Sequence, residues 1–403
     1  MMRLAVIFES SPFDRKGLFN AVHNRVKHLL ATGDCTVDVF CVHSRDNAFT
    51  RRVRHTPEVP SVDEVSIDGI TYRLLWYRFS ILDNVLLEKL HVRPLLFRRF
   101  MAAHVDLLEG YDAVMAHSFC GGLFALMAHE KFGIPYYMTW HGSDVHTHPW
   151  RVPVILEDTR AVMESARCNY FVSKALLAAS DKITENAFKQ VLYNGVSEDF
   201  VKFSAEDLSA ARERYGLTVD DKVVAFVGNL SAVKNVLALP AIFAEVAKRY
   251  GAPLKFWIIG DGKLRKQLES VFSLSFRPND HSLSFRPNEV SGEISFFGNL
   301  PATDMPSIMN CIDVLVLPSL NEGLPLVCAE ALNCGASVVG SDVGGIAEVI
   351  GQDNVVPLGD GFVAGMSEKI VSMLEGRAGS QTLPSEISWA RTAAIELRAL
   401  KFL

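Results

Sequence analysis

The chain has 403 residues, 49% hydrophobic and 21% charged, which excludes a disordered or fibrous protein and suffices for two large domains. Forty Lys and Arg against 46 Asp and Glu leave a formal charge of -6, without the basic footprint of a nucleic-acid binder. Seven cysteines, odd in number and with no C-x-x-C, read as reduced thiols of a cytoplasmic protein.

The first eight residues, MMRLAVIF, start like a strand and carry no small-residue cleavage site, and no apolar run reaches the ~18 residues of a spanning helix. Residues 4–8, 37–42, 113–117 and 136–140 are short apolar runs that predict buried parallel strands, with helical patterns at 20–31 and 123–132 between them. Residues 77–103 are apolar and also basic, with Arg78, Lys89, Arg93, Arg98 and Arg99. Pro94 interrupts them and the basic residues share no single face. The segment reads as a helix pair with a solvated arginine fringe, and peripheral contact with an anionic membrane is the alternative.

A polar stretch at 197–221 precedes a second series of strands, at 223–227, 256–259, 294–297, 314–317 and 336–339. Helical patterns separate these at 237–249, 263–272, 328–333 and 346–350. The alternation predicts an α/β protein with two Rossmann-like domains, 1–200 and 201–380, facing one another across a cleft. Residues 381–403 are expected to form a C-terminal helix packing back toward the first domain. The heptapeptide SLSFRPN occurs at 273–279 and again at 282–288, a single repeat that reads as a duplicated loop.

Ligands of such sheets bind at the carboxyl ends of the strands. The strand at 314–317 runs into a loop where Pro325 suits a first helical position, so the amides of residues 323–326 would form an anion site. Glu322 and Glu330 flank that site, and carboxylates accept hydrogen bonds from sugar hydroxyls. Gly228, Asn229 and Lys234 follow another strand, a pattern suited to a diphosphate. The Gly260-Asp261-Gly262 run lacks the third glycine of a dinucleotide fingerprint, and Asp342-Val343-Gly344-Gly345 supplies one more close-approach loop. His117 and His141 end strands of the first domain; such residues are either aimed at the ligand edge or satisfied core histidines. No Asp-x-Asp metal clamp, H-E-x-x-H, P-loop or G-x-S-x-G is present.

As a set, these residues resemble the retaining glycosyltransferases of family 4, which have the GT-B fold. Glu322-GLPLVCA-Glu330 matches that family's Glu-x7-Glu signature. The LPS before it and VGGIAEVI after it are similar, as are VGNL…KN at 227–235, GDG at 260–262, FFGNL at 296–300 and YNGV at 193–196. The resemblance implies that Glu330 holds the nucleotide ribose and Glu322 reaches the donor sugar. Lys234, Gly228 and the helix start at Gly323, Leu324 and Pro325 would hold the diphosphate, with Asn229 standing where many members have Arg. Asn299 and Leu300 would flank the base, His141 would face the donor sugar, and Gly17 would approach the leaving diphosphate. Glu322, His141 and Lys234 take the catalytic roles in this reading.

The implied reaction moves a sugar from a nucleoside-diphosphate donor, a UDP-sugar first, to a glycan or lipid-linked acceptor in surface polysaccharide or glycoconjugate synthesis. It implies no metal, no cofactor and no nucleic acid, and a place in the cytoplasm or at the inner membrane face. Residues 13–17 and 93–99 are the candidates for the acceptor side. A nucleotide-sugar 2-epimerase or a non-catalytic sugar-nucleotide-binding scaffold remains open.

Overall fold

The computed structural model describes residues 1–13, 17–44, 60, 62–78, 81–275, 277–279, 282–285 and 292–401. The chain divides into two compact units, Met1–Gly195 with Ser388–Leu403, and Val196–Ile387.

Strands of the first unit are β1 (Met2–Glu9), β2 (Cys35–Ser44), β3 (Glu64–Ile67), β4 (Ile70–Tyr77), β5 (Ala113–His117), β6 (Tyr136–Trp140), β7 (Cys168–Phe171) and β8 (Lys189–Val191). They form one sheet in the order β3-β4-β2-β1-β5-β6-β7-β8, with only β3 antiparallel to its neighbour. Helices α1 (Gly17–Ala31), α2 (Ile81–Leu90), α3 (Leu95–His104), α4 (Ser118–Phe132), α5 (Ser143–His146), α6 (Pro153–Ser165) and α7 (Lys174–Ser180) accompany it. The apolar and basic segment is thus the helix pair α2–α3, broken at Pro94.

The second unit opens with α8 (Ala205–Arg214), inside the stretch that reads as merely polar; Ala211 is its one buried residue among the described ones. Strands β9 (Val223–Val227), β10 (Leu254–Ile259), β11 (Arg277–Asn279), β12 (Ser282–Phe285), β13 (Gly292–Gly298), β14 (Val314–Leu317), β15 (Ser337–Ser341) and β16 (Val355–Val356) follow. Their order is β11-β12-β13-β10-β9-β14-β15-β16, parallel from β13 to β16. Between them lie α9 (Leu239–Tyr250), α10 (Arg265–Ser275), α11 (Met305–Asn310), α12 (Leu326–Cys334), α13 (Ile346–Ile350) and α14 (Phe362–Leu374). Among the described residues the duplicated heptapeptide is not a loop: the start of its first copy ends α10. Its copies supply β11 and β12, an antiparallel ribbon on the sheet edge, with Leu283 opposite Ile294.

Strands β5, β6, β7, β9 and β14 are buried at every position. Helices cover both faces of a parallel sheet, so its strands are mostly apolar, with buried His117, Thr139 and Asn169 as the polar exceptions in β5, β6 and β7. Such strands leave polar chemistry to the loops at their ends.

Helix α15 (Trp389–Leu400) returns to the first unit and is fastened there by one buried cation. Arg25 of α1, 1% exposed, donates to Glu396 at 2.7 Å, to Thr139 at 3.1 Å and to Asn194 at 3.1 Å. Removing one partner of a buried pair leaves an uncompensated charge, at a cost of about 3–5 kcal/mol. Glu396→Ala is therefore expected to destabilise the first unit by that amount, and Glu396→Gln, which keeps an acceptor, by less. Urea unfolding followed by tryptophan fluorescence checks this, since Trp76, Trp140, Trp150 and Trp389 lie in the first unit and only Trp257 in the second; an unchanged first-unit midpoint for Glu396→Ala would contradict it.

Candidate active site

In the second unit β9 lies between β10 and β14, so the chain departs in opposite directions after β9 and β14. That is a topological switch point, where loops diverge and leave a crevice. The loop after β9 carries Gly228, Asn229 and Lys234; the loop after β14 carries Ser319 and Glu322. The Leu320 amide donates to the Val233 carbonyl at 2.8 Å and ties the two loops together.

Across this point Lys234 Nζ donates to Glu322 Oε1 at 2.5 Å, and Ser319 Oγ donates to the same oxygen at 2.7 Å. The side chains are 24% and 11% exposed, so the pair is largely withdrawn from water yet open on one side. The loop after β15 backs it. Gly344 has φ +54°, and a Cβ there would stand 1.9 Å from the Glu322 carbonyl oxygen, so only glycine fits. The Gly345 amide donates to the Gly323 carbonyl at 3.1 Å, and Ser341 Oγ donates to the Ser319 carbonyl.

Helix α12 starts at Leu326, one residue later than the sequence suggests. Pro325 is its N-cap, with ψ 97° in the extended region, and no side chain caps the helix. An uncapped first turn offers amides to an anion. Glu330 stands in the second turn, partly buried, and desolvation pushes its carboxyl up to about 7. Between the two acids lies buried Cys328, whose thiol is raised by burial and further by Glu322 and Glu330.

The loops after β9, β10 and β13 interlock beside the crevice. Gly228 donates to Ile259, Leu230 to Asp261, and Gly260 to Gly298. A Cβ at Gly262 would stand 2.3 Å from Asn229 Oδ1, so these loops touch at Asn229. Exposed Asn299 and half-buried Leu300 follow β13. Arg265 stands at the same edge, ion-paired with Glu269 at 2.8 Å and Asp261 at 3.7 Å.

The first unit has its own cluster. His117 closes β5, 1% exposed, and its Nδ1 lies 3.1 Å from Nε2 of His141, which follows β6. Asp144 accepts from the amides of His141 at 3.1 Å and Gly142 at 2.8 Å and so fixes the turn. Burial, then the nearby Arg25 charge, lowers His141 to about 3, and burial raises Asp144 to about 6. The His141 ring is therefore neutral at pH 7. Gly17 is the exposed first residue of α1 with open space where a Cβ would be, so no close approach demands glycine there. Residues 14–16, including Lys16, lie outside the described residues.

Of the sequence candidates, Lys234 and Glu322 touch at the switch point, Gly323, Leu324 and Pro325 lead from Glu322 into α12, Glu330 stands in its second turn, and Gly228 and Asn229 lie on the Lys234 loop. His141 and Gly17 belong to the first unit. Ser319, Ser341, Arg265 and Asp144 were not singled out. Ser319 was legible in the LPS run before Glu322, and Arg265 in the basic residues after GDG.

Residues 221–376 match the sequence profile of the glycosyl transferases group 1, and residues 17–181 that of the glycosyl transferase 4-like domain. The chain belongs to the group 1 glycosyltransferases. A Bacillus subtilis glycosyltransferase assigned provisionally to teichuronic acid biosynthesis is 27% identical over 61% of this chain and 56% of its own length. N-acetyl-alpha-D-glucosaminyl L-malate synthase of Bacillus anthracis is 25% identical over 68% of this chain and 66% of its own. The match thus spans under two thirds of these relatives' lengths.

Sucrose-phosphate synthase from Thermosynechococcus elongatus superposes with a TM-score of 0.71 at 19% identity, covering 100% of this chain and 97% of that one. An Anabaena protein solved with UDP and glucose superposes at 0.65 and 16% identity, covering 98% and 95%. The fold is GT-B, built from two parallel-sheet α/β units.

A carboxyl raised from 4.5 to about 7 binds its proton more tightly in the folded state than in the unfolded one. Its stabilisation is complete below about pH 4.5 and is lost as the pH rises through 7. Glu330→Gln removes that loss. Above pH 7 the glycosyltransferase variant is expected to gain up to about 3 kcal/mol over the parent, and little at pH 4.5. Thermal melts at the two pH values check this; an equal gain at both would contradict the assignment.

Proposed function

We propose that this group 1 glycosyltransferase moves a sugar, with retention, from a nucleoside-diphosphate sugar to a glycan or lipid-linked acceptor in polysaccharide or glycoconjugate synthesis. The carrying observation is the Lys234–Glu322 pair at the switch point, beside the uncapped start of α12. A diphosphate seated there exchanges one partner of Lys234, a carboxylate, for another anion. It also meets the helix-start amides and the positive end of the helix dipole. Glu330, one turn further on, accepts from ribose hydroxyls.

As the bond between the anomeric carbon and the phosphate oxygen breaks, its electron pair passes to that oxygen, and Lys234 and the amides stabilise the growing charge. Charge placed in advance where it will develop is commonly the largest catalytic term. The acceptor hydroxyl attacks from the same face and gives its proton to the departing phosphate. Glu322, freed from Lys234, bonds to the donor sugar. UDP is the first choice of donor nucleotide, supported by the UDP complex of the Anabaena relative. Transfer needs no divalent metal in this reading, because a lysine and a helix start already supply positive potential.

The acceptor side belongs to the first unit, at or beside a membrane surface. Among the described residues no helix is long and apolar enough to cross a membrane.

Two outcomes test this. Loss of a charge-assisted hydrogen bond costs about 1.5–3 kcal/mol, roughly 10- to 150-fold. Glu330→Ala and Lys234→Met are expected to weaken UDP binding by that factor, whereas Glu322→Ala leaves it equal or tighter and slows transfer. Calorimetry with free UDP decides, and parent-like affinity in Glu330→Ala and Lys234→Met would defeat the assignment. Donor turnover after exhaustive chelation should persist; complete loss restored by magnesium or manganese would overturn the metal-free reading.

A further inference from the structure

The first unit holds a cavity of about 510 Å³, within the ~300–1,000 Å³ range of small-ligand pockets. Glu9, Ser44 and Tyr77 line it, and each is the last residue of a strand, of β1, β2 and β4 respectively. These three strands run parallel to one another. Phe119 and Cys120, in the first turn of the helix after β5, line it as well. The cavity therefore lies at the carboxyl edge of the sheet, where ligands of such folds bind.

Its charged groups nearly cancel. Four carboxylates, Glu9, Glu88, Glu130 and Asp158, stand against three arginines, Arg93, Arg98 and Arg151. Arg93 donates to Asp158 at 2.8 Å, Arg151 donates to Glu88, and Tyr77 Oη donates to Glu9 Oε1 at 2.5 Å. Each pair keeps hydrogen-bonding capacity in reserve, because a guanidinium has five N–H donors and a carboxylate about four acceptor sites. Among the described residues, the Arg98 guanidinium and the Glu130 carboxylate make no hydrogen bond at all. The cavity thus offers donors and acceptors side by side with little net charge.

Its walls are apolar and aromatic between these groups. Leu123, Leu126 and Met127, spaced i, i+3 and i+4, turn one face of α4 to the cavity. Four rings stand along it in two edge-on pairs, Tyr77 with Phe97 at 5.0 Å between centroids and Phe119 with His148 at 4.8 Å.

These features select among ligand classes. An anion would meet a carboxylate at each paired arginine, and a cation would meet a guanidinium at each carboxylate so paired. A hydrocarbon chain would cover donors and acceptors without pairing them, which is unfavourable. A hydroxyl both donates and accepts, so it bridges a guanidinium and the carboxylate beside it. An uncharged sugar ring carries such hydroxyls on its rim and C–H groups on its faces, which bury against aromatic and aliphatic side chains.

We propose that this cavity seats an uncharged sugar ring, with its hydroxyls on the arginine–carboxylate groups and a ring face on Phe97, Phe119 and the α4 stripe. Sugar binding rests on the cavity alone; that the sugar is the acceptor of transfer rests on the proposed function.

The test is saturation-transfer NMR of the full chain with methyl glycosides of glucose, galactose and N-acetylglucosamine, set against methyl glucuronide, methyl glucosaminide and n-octyl phosphate. At least one neutral glycoside is expected to bind, more tightly than both charged glycosides, and octyl phosphate is not expected to displace it. Arg98→Met removes a charged donor and Phe97→Leu a ring face, and each is expected to weaken that glycoside about tenfold. Arg98 is exposed and its guanidinium has no hydrogen bond to lose, so Arg98→Met keeps the test valid if Phe97→Leu does not fold. UDP binding, followed by calorimetry, is expected to be unchanged in the folded variants. A chain that binds the glycoside but not UDP keeps this site and defeats the donor reading. Binding of no neutral glycoside would overturn the proposal, as would equal or tighter binding of a charged one, displacement by octyl phosphate, or parent-like affinity in the folded variants.

Discussion

A parallel strand covered on both faces has no room for charge, so these sheets push their polar chemistry to the carboxyl ends, and strand order decides which ends meet. In the second unit β9 sits between β10 and β14, and that arrangement alone brings Lys234 to Glu322 across 88 residues of chain. Withdrawing both groups from water costs several kcal/mol, which a single ion pair repays only with good geometry and further hydrogen bonds. Ser319 supplies one such bond, and the close packing of Gly344 on Glu322 supplies rigidity. The pair contributes little to stability on balance. In the proposed reaction it gives a cation held in place for an incoming phosphate, with an acid released when that phosphate arrives.

The first unit obeys the same rule with different residues. Its β1–β5 switch leaves Glu9 and His117 at the ligand edge, and β6 adds His141. Here burial settles the charge states: His141 is neutral, and Asp144 spends its acceptor capacity on two backbone amides. The buried Arg25 lies behind this cluster and draws α15 onto α1 through Glu396, so the last helix of the chain supports the first helix of the fold.

What the sequence disclosed follows from these constraints. Strands β5, β6, β9 and β14 were legible to the residue because full burial makes them nearly unbroken apolar runs. Strands β3, β4, β7 and β8 were not: in Ile70–Tyr77 apolar and exposed residues alternate at first, the fully buried β7 is interrupted by Asn169, and β3 and β8 have four and three residues. Helix α8 escaped notice because it buries one alanine and shows polar residues elsewhere. The Glu322–Glu330 spacing was readable as a motif in the chain, although only Glu330 stands on the helix and Glu322 belongs to the loop before it, and the Lys234 loop was readable too. That Lys234 and Glu322 touch was not, because pairing between distant loops depends on strand order. Arg25 and Glu396, 371 positions apart, carried no joint signal at all.

The most direct test is a crystal structure of the chain with a bound UDP-sugar. The diphosphate is expected within hydrogen-bond distance of Lys234 Nζ and the amides of Gly323 and Leu324, with the ribose on Glu330 and Glu322 released toward the sugar. A nucleotide seated elsewhere in the second unit, such as the larger hollow between α9 and the start of α14, with the Lys234–Glu322 pair intact, would contradict it.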